Sequence, residues 1–104
     1  MSQTEAERRQ EEAEAHIRAT IINELCQVME KTGLPPMAVL RLAAQSVGSI
    51  YREMADAHGG INPCPCGWHP HHASDVETLN MALLRACERY RMHDLRQMRI
   101  AGTA

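Results

Sequence analysis

At 104 residues the chain is one domain's worth of material, which excludes a repeat solenoid, two independent folds and a large catalytic scaffold. Its 44% hydrophobic share includes only 3% aromatics (Trp68, Tyr51 and Tyr90, with no Phe), so Leu, Ile, Val, Ala and seven Met must do the packing, a composition that favours helices and excludes an all-β sandwich or barrel. The formal charge of -2, from 11 basic and 13 acidic residues, gives no global drive toward nucleic acid or a membrane surface.

The first predicted helix begins near Thr4, where Thr4-x-x-Glu7 has the capping-box pattern. It runs to about Lys31 before Thr32-Gly33 and Leu34-Pro35-Pro36 stop it. At 100° per residue, Ile17, Ile21, Ile22, Leu25, Val28 and Met29 share an arc of about 140°, the width of a buried stripe. Upstream the same face carries Glu7, Gln10 and Glu14, so residues 1–12 are expected to project as an acidic helical arm. The second helix is predicted from Pro36, suited to a first turn, to His58 before Gly59-Gly60. Met37, Leu40, Ala43, Ala44, Val47, Ile50, Tyr51 and Met54 lie on its apolar face, and His58 is assigned to the helix dipole. The third helix is expected to open with a Ser74-x-x-Glu77 capping box and to reach Met98 or Ile100, with Val76, Leu79, Leu83, Cys87, Tyr90 and Met98 on one side. Cys26 and Cys87, at or near the apolar stripes, are expected in the core as small hydrophobes.

These elements predict an all-α fold over residues 1–104: a three-helix, up-down-up bundle with a Cys/His-rich loop at 59–73. A narrow aliphatic core makes a homodimer the natural extension. No apolar run approaches a membrane span and the N-terminal MSQTEAERRQEEAEA lacks the apolar stretch of a signal peptide, so a cytoplasmic location without a membrane partner is expected. There, the four cysteines are expected to be thiols or metal ligands.

The chemistry is concentrated in that loop. Cys64, Cys66, His69, His71 and His72 are thiolate and imidazole donors, the set Zn²⁺ prefers, and Pro63, Pro65 and Pro70 stiffen the backbone that carries them. His69 follows Cys66 at a zinc-knuckle spacing, so Cys64, Cys66, His69 and His72 form one candidate set. The competing readings are a stiff surface loop with free thiols, a strained Cys64–Cys66 disulfide, and haem ligation, for which no Cys-x-x-Cys-His attachment is present. Trp68, the chain's one tryptophan, is placed to cover the metal or to anchor a partner.

Asn62-Pro63-Cys64-Pro65-Cys66-Gly67 resembles the opening of the SEC-C zinc module, found at the C-terminus of the bacterial preprotein translocase motor. The likeness implies that Cys64 and Cys66 are ligands and that His71 with His72 stand in for the module's closing Cys-Cys or Cys-His pair. It spans six residues, and the chain differs in a shorter spacer, in lacking a Lys-rich stretch and in closing with two histidines.

Residues 85–99 collect Arg85, Arg89, Arg91, Arg96 and Arg99, opposite in charge to Glu5, Glu7, Glu11, Glu12 and Glu14 at the other end of the chain. Arg85, Arg89, Arg96 and Arg99 fall in an arc of about 80° facing away from the apolar stripe. This is a solvated face, a dock for an acidic protein surface, or a track for phosphates. No helix-turn-helix spacing or interleaved aromatics favour nucleic acid. The sequence therefore points to a small zinc-stabilised binding or regulatory protein of bacterial or phage accessory type, not an enzyme, meeting its partner through the Arg stripe or Trp68. A nucleic-acid binder and a small zinc metalloenzyme are the alternatives.

Overall fold

The computed structural model describes the backbone of residues 3–102 and the side chains of residues 3–88. The described chain is helical, without strands: α1 (Glu5–Thr32), α2 (Pro36–His58) and α3 (His72–Gly102). It divides into two compact units, residues 1–53 and 54–104, each taken by itself below.

In the first unit, local chemistry fixes every boundary. Thr4 caps α1 reciprocally: its hydroxyl accepts the Glu7 N–H at 3.1 Å, and the Glu7 carboxylate accepts the Thr4 N–H at 3.3 Å. This is the expected capping box, satisfying two donors that the first turn leaves without helical partners. At the other end Gly33 adopts φ 73, a left-handed geometry that favours glycine, and its N–H reaches the Met29 carbonyl at 2.9 Å. Thr32 Oγ1 donates to the Val28 carbonyl and accepts the Leu34 N–H, which turns the chain into Pro35-Pro36. There the Val39 N–H bonds the Pro35 carbonyl at 3.2 Å, so α2 starts with a proline whose missing N–H costs nothing at that position.

Burial in this unit gathers beside the turn. Val39 is 2% exposed and is the one buried residue among those described; Leu25, Met29, Ala38 and Ala43 are half-buried. The sequence stripe on α2 did not include Val39, which sits at the edge of that face, whereas Met37, placed in the stripe, is 73% exposed. Packing close to the turn selects the edge position. Most other aliphatic stripe positions are uncovered: Ile17, Ile21 and Ile22 on α1 and Leu40, Val47 and Ile50 on α2 are exposed, while Tyr51 on the same α2 face is half-buried. Cys26 is likewise exposed, contrary to its expected place in the core, because the helix surface it occupies meets no covering layer. Every residue from Gln3 to Thr20 is exposed.

The second unit holds the last turn of α2, the loop and α3. The helix opens at His72, earlier than the Ser74-x-x-Glu77 box implied. His71 caps it instead: its N–H donates to Asp75 Oδ2 at 2.8 Å, and its carbonyl accepts the Asp75 N–H at 2.9 Å. With Asp75 holding both backbone groups of the cap, Ser74 falls inside the first turn. Val76 is half-buried, while Leu79, Leu83 and Cys87 are exposed, so Cys87 also leaves its expected core position. Tyr90 and Met98, expected on the same stripe, lie outside the described side chains. Among the described residues no helix is long and apolar enough to cross a membrane.

Candidate metal centre

The loop between α2 and α3 turns twice at glycines with positive φ, Gly60 at 84 and Gly67 at 90. Both are backbone states that a side chain strains, and no atom near either glycine would crowd an added Cβ. Gly59 and Gly60 end α2 at His58 and reverse the chain; the turn at Pro65-Cys66 followed by Gly67 brings it around the cysteines.

His58, Cys64 and Cys66 are brought together there, with one ligand atom from each lying within 4.8 Å of the others. The imidazole is held in register by its own helix: Nδ1 lies 2.6 Å from the Met54 carbonyl oxygen. A carbonyl only accepts, so Nδ1 carries the proton, leaving the Nε2 lone pair for a ligand. A backbone carbonyl on the second ring nitrogen is the usual outer support of a metal-bound histidine. Trp68, half-buried, sets its ring edge-to-face against His58, with centroids 4.8 Å apart and planes at 70°.

The electrostatics push the two groups in opposite directions: the thiol loses its proton more readily, and the imidazole keeps its proton longer, so a metal ion has to displace it. The Cys66 thiol is held below its ordinary pKa, first by the Trp68 backbone N–H and then by the Cys64 side chain; desolvation opposes, and His58 adds a further lowering. His58 is raised above its ordinary value, first by the Met54 carbonyl; desolvation opposes and the neighbouring Cys66 adds to the rise. The Gly67 turn is what lets the Trp68 N–H fold back onto the Cys66 sulfur.

Two thiolates and an imidazole suit zinc chemically. With Zn–S about 2.3 Å and Zn–N about 2.0–2.1 Å, neighbouring ligands of a tetrahedron stand roughly 3.5–3.8 Å apart. The group needs to close by about 1.3 Å at most to reach that spacing. His58, Cys64 and Cys66 therefore fit a metal ion without refolding of the loop.

The sequence-predicted donors separate into two sets. Cys64 and Cys66 are in the group; His69, His71 and His72 are not. His71 caps α3, with Nδ1 3.1 Å from Ser74 Oγ, and His72 is the first residue of that helix. His69 is exposed between the half-buried Trp68 and Pro70. The sequence assigns His58 to the helix dipole, yet it joins the cysteines; the spacing His58-x5-Cys64-x-Cys66 is the signal for it. Arg85 is exposed, whereas Arg89, Arg96 and Arg99 lie outside the described side chains.

No protein-family model matches the chain, and no curated protein or solved structure matches it either. The likeness of Asn62 to Gly67 to the SEC-C module thus stays confined to those six residues.

Proposed function

We propose that the chain is a small zinc-stabilised helical protein that acts by binding a protein partner. The observation carrying this reading is the convergence of His58, Cys64 and Cys66, one from the end of α2 and two from the loop, with ligand atoms within 4.8 Å of one another. Residues 59–71 have little of their own to bury: Ile61 is 97% exposed. A bound ion would replace the absent core by tying this loop to the last turn of α2, since metal affinity for a site formed only on folding adds directly to stability. His58, Cys64 and Cys66 would hold the ion, which supplies a cross-link.

Binding as the activity is supported by the aliphatic surface. Ile17, Ile21, Leu40, Val47 and Ile50 leave about half of each side chain in water, on two helices of one unit. Exposed aliphatic side chains in this number are what interaction surfaces are built from. A second copy of the chain is the first candidate partner, because a face of aliphatic residues with few charges is self-complementary across a two-fold axis. In the other unit, the exposed Arg85 offers a cation to an acidic partner.

Metal analysis of the purified chain, paired with thermal melts before and after a chelator, tests the reading. One zinc per chain and a melting temperature that drops on chelation are expected. A metal-free chain whose melt ignores both zinc and chelator overturns it.

A further inference from the structure

We propose that the metal centre is open: His58, Cys64 and Cys66 are its three ligands from this chain, and the fourth tetrahedral position accepts an exchangeable donor from solution, of the neutral nitrogen class that imidazole represents. The inference rests on the zinc reading above and extends it from a closed staple to a centre that binds a further ligand.

The first support is what the other donors of the loop are doing. His71 is committed to α3. Its N–H donates to Asp75 Oδ2, its carbonyl accepts from Asp75, and its Nδ1 lies within reach of both the Ser74 N–H and hydroxyl. Moving this ring to the metal would give up its Nδ1 contacts with the Ser74 N–H and hydroxyl in the first turn of α3. Asp75 is committed to the same cap, and His72 sits in its first turn. His69 differs, standing on a short stretch where burial alternates: Trp68 half-buried, His69 exposed, Pro70 half-buried. Trp68 packs against His58, whereas His69 is not among the side chains that converge there.

The second support is access. Cys64 and Cys66 are exposed, while the flank of the site beside His58 is covered by the Trp68 ring. A metal held by these three residues has a walled side and a wet side, and the missing ligand belongs on the wet side.

Charge favours a neutral donor over an anionic one, and among neutral donors nitrogen is a usual zinc ligand. Zn²⁺ with two thiolates and a neutral imidazole is formally neutral, so a neutral fourth donor leaves the centre uncharged, whereas a third thiolate would make it anionic. Three protein ligands with one open position is the arrangement zinc sites use when they take an exogenous ligand, and Cys₂His is one of its known sets.

The experiment loads the full chain with Co²⁺, whose absorption reports thiolate ligation and coordination geometry, and titrates imidazole. The expected result is one Co²⁺ per chain, ligand-field bands that shift saturably with imidazole, and thiolate charge-transfer bands that keep their intensity. The variants His69→Ala, His71→Asn and His72→Ala should each bind Co²⁺ within about tenfold of the parent and keep the imidazole response. Asn at position 71 retains a side chain suited to the cap. A ligand field indifferent to imidazole, or an affinity loss beyond about tenfold in any of the three variants, overturns the open centre while leaving the zinc reading intact. Failure to bind Co²⁺ or Zn²⁺ at all overturns both.

Discussion

The imidazole of His58 meets the indole of Trp68 edge-to-face, with ring centroids 4.8 Å apart and planes at 70°. The same imidazole lies beside Cys64 and Cys66, so the chain's one tryptophan touches a candidate ligand directly. Metal binding at Nε2 alters the electronic character of the ring that Trp68 packs against. Intrinsic fluorescence should therefore change saturably with Zn²⁺ and return on chelation. His58→Ala should abolish the response and lower metal affinity by more than tenfold, about 1.4 kcal/mol or more. An unchanged zinc titration in His58→Ala would remove His58 from the ligand set.

Proton release gives a second handle. In the metal-free chain Cys66 sits below its ordinary pKa, chiefly through the Trp68 N–H, so it should be alkylated by iodoacetamide near neutral pH ahead of an unperturbed thiol. Zinc should protect it. The stability consequences have opposite signs. Raised in the folded state, His58 contributes stability that is fully present below its unfolded pKa and is lost as pH climbs through the raised value. Cys66, depressed in the folded state, contributes stability that is present above its unfolded pKa and is lost as pH falls through the lowered value. Metal-free melts across pH 5 to 10 should thus show a shallow fall followed by a recovery, and His58→Ala should remove the fall. Affinity for zinc should rise with pH throughout, because binding displaces ligand protons.

Helix boundaries were legible wherever one residue settles them locally: Thr4 with Glu7, Gly33, Pro36 and Gly59 each act on backbone groups within four positions. The start of α3 was not, because Ser74-x-x-Glu77 and the His71 cap compete for the same turn. Asp75 decides between them by reaching the His71 N–H, a contact set by how the loop delivers His71. Cys64 and Cys66 were readable as ligand types from their spacing. His58 is marked in sequence only by its spacing to the cysteines, since its partnership needs the loop to bring them to the end of α2, which helical periodicity does not encode. Cys26 and Cys87 mislead for a related reason: an apolar stripe predicts burial only when another element covers it, and here both thiols are exposed.

The cap itself can be tested. Asp75→Ala removes the acceptor of the His71 N–H, leaving the start of α3 one hydrogen bond short. The expected cost is about 1 kcal/mol, concentrated in the first turn. Hydrogen exchange at Ala73 to Val76 should accelerate, while exchange in the middle of α1 stays as it was. Uniform acceleration along the chain would show that Asp75 does more than cap.

Gly67 is the turn that presents the Trp68 N–H to Cys66, at φ 90. An added Cβ would meet no neighbour within 4 Å, so Gly67→Ala isolates backbone strain from crowding. Left-handed geometry costs a non-glycine residue about 1–2 kcal/mol. If the turn is required for ligation, that strain appears as a loss of zinc affinity of roughly five- to thirtyfold. Gly48, in the interior of α2, also has open space around it, and Gly48→Ala should raise helix stability by about 1 kcal/mol without touching metal affinity. Equal metal affinity in both variants would show that the loop reaches its ligating form by another turn.

Val39 and Ile61 offer a sharp contrast in burial, at 2% and 97% exposed. Removing two methyl groups from a packed site costs their transfer energy and leaves a cavity, so Val39→Ala should destabilise by about 2 kcal/mol. Ile61→Ser removes more apolar volume from a site already in water and should change stability by less than about 0.5 kcal/mol. Chemical denaturation at fixed zinc and protein concentration measures both. With so little buried beside the α1–α2 turn, the Val39 loss is a large share of what holds these helices together. If a second copy covers the faces bearing Ile17, Ile21, Leu40, Val47 and Ile50, the denaturation midpoint must rise with protein concentration, and Val47→Glu must abolish that dependence while Ile61→Ser leaves it unchanged.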